Sequence, residues 1–269
     1  MIMDRNCPTL DMVIELALQA GSLLRFAFGK NHTIRHKGRI DLVTEMDQRC
    51  EDLILGQIRK WFPDHTIISE ESGLSTGTMD SCWYVDPLDG TTNYAHGLPF
   101  FAVSIGFADR DGMKFGAIYD PMRDECFYAE KGKGAYLNGN PIHTSDADNL
   151  VDCLLVTGFP YEVDEVYRWN LENFARFATR TQSVRRLGSA ALDFCYAAAG
   201  RVDGYWEVHL KPWDLAAGIL IAREAGAIVT DLKGNVEVMK PPYAHLTAAP
   251  KIHPLMLEIL NAGAMNMVQ

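Results

Sequence analysis

The 269-residue chain is short of positive charge. Its 25 lysines and arginines are outnumbered by 35 aspartates and glutamates, giving a formal net charge of −10. That balance argues against a nucleic-acid or anionic-membrane surface. Long apolar runs are missing too, and the densest, Phe100 to Ala108, is too short to cross a bilayer. The six cysteines (Cys7, Cys50, Cys82, Cys126, Cys153 and Cys195) contain no Cys-x-x-Cys. This pattern speaks against a disulfide framework or a zinc site and for reduced, core-filling thiols in the cytoplasm. The eight histidines show no metal-ligand spacing. No linker, low-complexity segment or internal repeat divides the chain. With 48% hydrophobic and 22% charged residues, it has the make-up of a soluble globular protein with a large core.

Acidic residues in turns stand out instead. Asp86-Pro87-Leu88-Asp89-Gly90-Thr91-Thr92-Asn93 follows the apolar run Trp83-Tyr84-Val85, which reads as a buried strand, with Pro87 and Gly90 marking a turn. A strand delivering Asp-x-x-Asp into a turn gathers acidic oxygens, which hard divalent cations prefer, and N–H groups, which phosphate prefers. The same residue types also make ordinary solvated turns. Two further acidic segments fit one site. Glu70 and Glu71 follow the β-prone run His65 to Ile68, and Asp214 lies in the first turn of a helix begun by Pro212 and closed by Gly226. There the helix dipole would favour Asp214 even without metal.

Along the chain, apolar spacing predicts an amphipathic helix over Leu10 to Phe28, distinct from a secretory leader, and a second helix from about Thr44 to Phe62, stopped by Pro63. Strands follow at 66–69, 83–86, 102–107, 115–119, 126–129 and 135–137, with Asn138-Gly139 as a hairpin turn and 73–81 as a polar loop. From about residue 150 the pattern alternates. Strands are expected at 154–157, 183–186, 205–208, 227–230 and 246–249, with helices at 165–179, 189–199, 213–225 and the C-terminus. The expectation is an α+β half over 1–150 carrying most of the acidic set and an α/β half over 151–269 carrying Asp214, packed as one unit with a site between them.

The Glu70-Glu71 pair, Asp86 to Asn93, and Trp213-Asp214-Leu215-Ala216-Ala217-Gly218 resemble the three signatures of the inositol monophosphatase family, in that family's order and spacing. Asp41 to Asp47, Pro121-Met122-Arg123, Gly188-Ser189-Ala190-Ala191 and Arg201 to Gly204 extend the resemblance over nearly the whole chain, in the bacterial inositol-1-monophosphatase type. The resemblance implies a layered α-β-α-β-α sandwich shared with fructose-1,6-bisphosphatases. It also implies a homodimer sensitive to lithium that hydrolyses phosphate monoesters.

By the same resemblance, Glu70, Asp86 and the Leu88 carbonyl hold one Mg2+, and Asp86, Asp89 and Asp214 a second. Glu70 holds a weaker third ion with waters, and Mn2+ is a possible substitute. Asp47 and Thr91, with Glu70, serve the attacking water. Leu88, Asp89, Gly90, Thr91, Gly188, Ser189, Ala190, Glu207 and Asp214 contact substrate, and Lys37 lies near the cleft. Local readings stand beside these roles. Thr44 and Asp47 make a capping box, Ser189 a helix N-cap, Glu207 a strand-edge carboxylate, and Lys37 a solvated loop lysine.

Myo-inositol monophosphate is the expected substrate. Fructose 1,6-bisphosphate, 3′-phosphoadenosine phosphate, histidinol phosphate and NADP are alternatives on the same fold. A role as partner of the transcription machinery, with dispensable catalysis, is the rival from another class.

Overall fold

A computed structural model describes residues 7–30, 33–36, 42–75 and 77–262. Helix α1 (Leu10–Ala27) starts at Thr9, whose hydroxyl accepts the Met12 N–H, and buries Val13, Leu16, Ala17, Ala20 and Leu24 on one face. After the hairpin β1 (Ile34–His36) and β2 (Leu42–Thr44), helix α2 (Glu45–Trp61) buries Met46, Cys50, Ile54 and Ile58 at the same helical spacing. Both helices cover one face of an eight-stranded sheet.

That sheet comprises β3 (His65–Ser69), β4 (Gly73–Ser75), β5 (Thr78–Asp89), β6 (Ala102–Asp109), β7 (Gly112–Asp120), β8 (Glu125–Glu130), β9 (Ala135–Leu137) and β10 (Asn140–Ile142). Its order is β10-β9-β8-β7-β6-β5-β3-β4, antiparallel except where β3 runs parallel to β5. At the β9–β10 turn Asn138 and Gly139 both have positive φ, 48° and 83°, as a tight hairpin turn requires.

A five-stranded sheet takes the order β12-β11-β13-β15-β14, from β11 (Leu154–Thr157), β12 (Ser183–Arg185), β13 (Gly204–Glu207), β14 (Ile228–Thr230) and β15 (His245–Ala248). Between the sheets lie α5 (Ala190–Ala198) and α6 (Pro212–Glu224), and α4 (Glu165–Ala178) and α7 (His253–Ala262) cover the outer face. The layers therefore run α-β-α-β-α, as the resemblance implied.

Small residues set how closely these layers approach. Gly106 and Gly116 sit opposite each other on β6 and β7. A Cβ on Gly116 would come within 3.0 Å of the Ala217 backbone, and one on Gly106 within 3.0 Å of the Ala216 methyl. On the other side of α6, a Cβ on Gly218 would run into the Phe194 ring of α5. Helix α6 is thus seated directly on the large sheet, with its first turn, and Asp214, beside the end of β5.

Three sequence expectations need correction. The 73–81 segment is not simply a loop: β4 and the start of β5 occupy most of it, because their backbone groups pair with β3 despite polar side chains. Nor does the central strand end at Asp86. Pairing with β6 lapses after Asp86↔Ser104 and resumes at Asp89↔Ala102, so Pro87 and Leu88 form a bulge within one long strand. Proline, which has no N–H for the ladder, is tolerated at a bulge. All six cysteines are free and five are buried, but Cys7 is exposed and not core filler.

Candidate active site

The bulge in β5 aims its two aspartates differently. The Asp86 side chain turns back to accept the Leu88 N–H at 3.0 Å. Asp89 reaches across to the start of α5, accepting the Ala191 N–H at 2.8 Å, the Ala190 N–H at 3.3 Å and the Ser189 hydroxyl. Ser189 is also the N-cap of α5, its oxygen accepting the Leu192 N–H at 3.3 Å. The capping expectation and the proximity of Ser189 and Ala190 to the acidic set hold together in one geometry.

Gly90 takes φ +94°, and a Cβ there would meet the Gly188 and Phe100 carbonyls at 3.1 Å. The chain then enters α3 (Thr91–Ala95). Asn93 fastens this turn to two other segments, donating to the Phe100 carbonyl at 2.8 Å and the Leu187 carbonyl at 2.9 Å.

Asp47, fully buried in the first turn of α2, uses both oxygens. Its Oδ2 accepts the Thr44 N–H and the Thr44 hydroxyl, both at 2.7 Å, while Oδ1 accepts the Thr91 hydroxyl at 3.0 Å. The Leu88 carbonyl also lies 3.0 Å from the Thr91 oxygen. Since Thr91 has one proton, carboxylate and carbonyl compete for it. Burial pushes the Asp47 carboxyl up, and the hydrogen bonds from Thr44 and Thr91 pull it partly back.

Glu70, at the end of β3, has its N–H on the Val85 carbonyl at 3.2 Å, which fixes it next to Asp86. Asp214, half-buried in the first turn of α6, accepts the Lys211 N–H at 2.7 Å. Burial, and then the charges of Glu70, Asp89 and Asp214, hold the Asp86 carboxyl well above the usual carboxylate range. The Asp214 carboxyl is raised by burial and by Asp89 and Glu70, and the Asp89 carboxyl by burial.

Among the described residues, no lysine or arginine forms an ion pair with Asp86, Asp89 or Asp214. No three His, Cys, Asp or Glu side chains there stand as a finished ligand set, since the carboxylates turn to backbone donors instead. An all-oxygen, mutually repelling group of this kind fits hard cations such as Mg2+ and lacks the nitrogen and sulfur donors that zinc sites favour.

Glu207 ends β13 on the side facing this seam. Its carboxylate accepts the Tyr205 hydroxyl, and burial pushes its pKa up to about 7. A methyl group on Gly158 would overlap this carboxylate, so Gly158 makes room for it. Lys37 lies outside the described residues.

Sequence reasoning missed several residues here. Asp193, buried in α5, leaves its Oδ1 without a hydrogen-bond partner and is held well above the usual range by burial, then by Glu207 and Asp89. Its signal was a lone acid inside Ala190-Ala191-Leu192-Asp193-Phe194-Cys195. Arg186, stacked over the Phe159 ring at 5.7 Å, acts electrostatically on both Asp193 and Glu207. Asn93 closes the Asp86 to Asn93 motif but was given no role there, and Glu51 carried no chemistry-bearing pattern.

A five-layer sandwich with four carboxylates gathered where β3, β5 and α6 meet is a phosphatase-type scaffold. The chain belongs to the inositol monophosphatase family, whose model matches residues 6–263. It is 47% identical over 224 residues to an inositol-1-monophosphatase from Synechocystis, covering 82% of this chain and 78% of that one. It is 43% identical over 235 residues to the Nus factor SuhB of Escherichia coli, covering 86% and 88% of the two chains. Among solved structures, an extragenic suppressor protein suhB from Bartonella henselae superposes with a TM-score of 0.90 at 36% identity, covering 94% of this chain and 98% of that one.

Proposed function

We propose that this protein is a Mg2+-dependent phosphomonoesterase that hydrolyses myo-inositol monophosphate to inositol and phosphate. The observation that carries the reading is the Asp47–Thr91 hydrogen bond beside the carboxylates of Glu70, Asp86, Asp89 and Asp214. Glu70, Asp86 and the Leu88 carbonyl would hold one ion, Asp86, Asp89 and Asp214 a second, and Glu70 a third. Mg2+, when bound, supplies the positive charge that acidifies water and offsets charge on the leaving oxygen.

The chain's own residues do the rest. Asp47 accepts the Thr91 hydroxyl in a hydrogen bond, leaving a Thr91 lone pair for one hydrogen of the attacking water, and Glu70 would take the other as a proton. Water adds to phosphorus as the ester P–O bond breaks, its proton passing to Glu70. The leaving alkoxide takes a proton from a second water to become the inositol hydroxyl, and the hydroxide so formed recovers the proton held by Glu70. Gly90 and Thr91 turn N–H groups toward the phosphate, and glycine lets the ester approach the backbone. Gly188, Ser189 and Ala190 border the inositol ring, and Glu207 accepts one of its hydroxyls. The same reading carries a cytoplasmic homodimer inhibited by lithium.

Assaying a panel of phosphate monoesters with and without Mg2+ tests this directly. Preference for inositol monophosphate supports it, and preference for fructose 1,6-bisphosphate, 3′-phosphoadenosine phosphate, histidinol phosphate or NADP replaces the substrate but keeps the chemistry. The likeness to proteins named Nus factor SuhB favours a second reading, a surface-borne role in transcription alongside the site. Capture of transcription elongation factors by the purified protein tests it.

A further inference from the structure

Glu51 lies one helical turn after Asp47 on α2, and both side chains are fully buried. The Glu51 Oε1 accepts the N–H groups of Glu71 and Ser72, each at 3.1 Å, and Oε2 accepts the Ser72 hydroxyl. These are the two peptide groups directly after Glu70, whose own N–H is bound to the Val85 carbonyl at 3.2 Å. The Glu70 backbone is therefore held from both sides, by β5 before the side chain and by a buried carboxylate after it.

We propose that Glu51 is a positioning residue that fixes Glu70 for cation binding, and that α2 acts as a ruler for the site. Asp47 on one turn holds the Thr91 hydroxyl, and Glu51 on the next holds the Glu70 backbone. Because the two anchors share one rigid, buried helix face, the distance between the Thr91 hydroxyl and the Glu70 carboxylate is set by helix geometry and not by the loop that carries Glu70. A burial-driven role alone would have been filled better by leucine, since a buried carboxylate is tolerated only where donors satisfy it. Here three donors from one two-residue stretch do so. The inference rests on the metal reading above and extends it to a residue that touches neither ion nor substrate.

The experiment is Mg2+ titration by calorimetry, with melting temperature and amide exchange, on the full-length parent, Glu51→Ala, Glu51→Asp and Glu51→Gln. Residues that orient metal ligands typically change affinity by roughly 10–100-fold when removed. Glu51→Ala and Glu51→Asp should weaken Mg2+ binding on that scale, the latter because it keeps the charge but withdraws it from the turn. Glu51→Gln should restore near-parental affinity, since its carbonyl oxygen can serve both N–H groups and its amide can donate to the Ser72 oxygen.

A lower melting temperature in Glu51→Asp with unchanged Mg2+ affinity would make Glu51 merely structural and overturn the proposal; Glu51→Asp decides the matter if Glu51→Ala does not fold. If the parent itself binds no Mg2+, the metal reading fails separately. The clamp is then judged on exchange alone: slow exchange at Glu71 and Ser72 that is lost in Glu51→Asp supports it, and unchanged exchange overturns it.

Discussion

Asp47 Oδ1 accepts the Thr91 hydroxyl at 3.0 Å while its Oδ2 caps the helix that begins beside it. One side chain does both jobs because its two oxygens face different elements. Asp47→Asn has a single acceptor oxygen to divide between them. Turnover should fall by roughly 10²-fold or more, the scale of a lost acid–base partner, and stability by about 0.5–2 kcal/mol, the usual cost of a damaged cap. Thr91→Ala should lose similar activity while sparing the cap, and the double mutant should lose little more, because residues acting as one unit are non-additive. Steady-state kinetics and urea unfolding of the three variants check this. Multiplicative losses in the double mutant would separate the pair.

Asp89→Asn should abolish turnover and also weaken the fold. In the parent, Asp89 accepts from Ser189, Ala190 and Ala191 at the start of α5, so an amide NH2 there would face donors. Leaving a buried donor unsatisfied costs about 1–3 kcal/mol. Urea unfolding in the presence of chelator measures that loss without any contribution from metal. Parental stability would show that Asp89 does not hold α5.

The pH dependence should centre on Glu207. Its carboxyl is held neutral up to about pH 7 in the fold but ionises near 4.5 when free, so the folded state retains the proton more strongly. Ionisation therefore opposes folding. The penalty is absent below the unfolded value, grows as pH rises, and is complete above about 7. Glu207→Gln should gain stability relative to the parent at pH 8 but not at pH 4, as melting curves would read. In the parent, KM for inositol phosphate should fall as pH rises through about 7 and the better acceptor forms. A parental pH profile in Glu207→Gln would remove Glu207 from substrate recognition.

Gly158→Ala provides an independent check on the same group. The new methyl would displace the Glu207 carboxylate. Use of inositol phosphate should drop, as it should when Glu207→Ala removes the carboxylate altogether, while a generic ester such as nitrophenyl phosphate is hydrolysed nearly as before in both variants. Equal losses on both substrates would point to collapse of the site.

Exhaustive chelation should abolish turnover, Mg2+ should restore it with Mn2+ as a substitute, and Mg2+ should raise the melting temperature by neutralising Asp86, Asp89 and Asp214. Ligand binding to the native state alone stabilises it by mass action. Lithium should inhibit in a dose series at saturating substrate. Full activity in chelator would refute the metal chemistry.

Much of the fold was legible because local signals were strong. The apolar faces of α1 and α2, Pro212 opening α6 and Asn138-Gly139 between β9 and β10 each reflect short-range chemistry, and these elements form where the spacing placed them. The acidic motifs also contained Glu70, Asp86, Asp89 and Asp214, the carboxylates that the structure brings near one another. Strands β1, β2, β4 and β10 were not legible, since they are short and owe their existence to pairing partners elsewhere in the chain.

The sequence by itself determined the family, because its motifs are residue types at fixed local spacings, and the layered architecture and the acidic character of the site came with that resemblance. Only the tertiary structure decided how the pieces meet. That Asp47 serves Thr91 as well as its own helix, that Asp89 holds the start of α5, and that Glu51 clamps the turn after Glu70 depend on contacts between distant segments. Their register comes from close packing, with Gly106 and Gly116 letting α6 down onto the sheet and Gly90 lying against the Gly188 carbonyl. A glycine in a sequence does not say which helix will fill the space that it leaves.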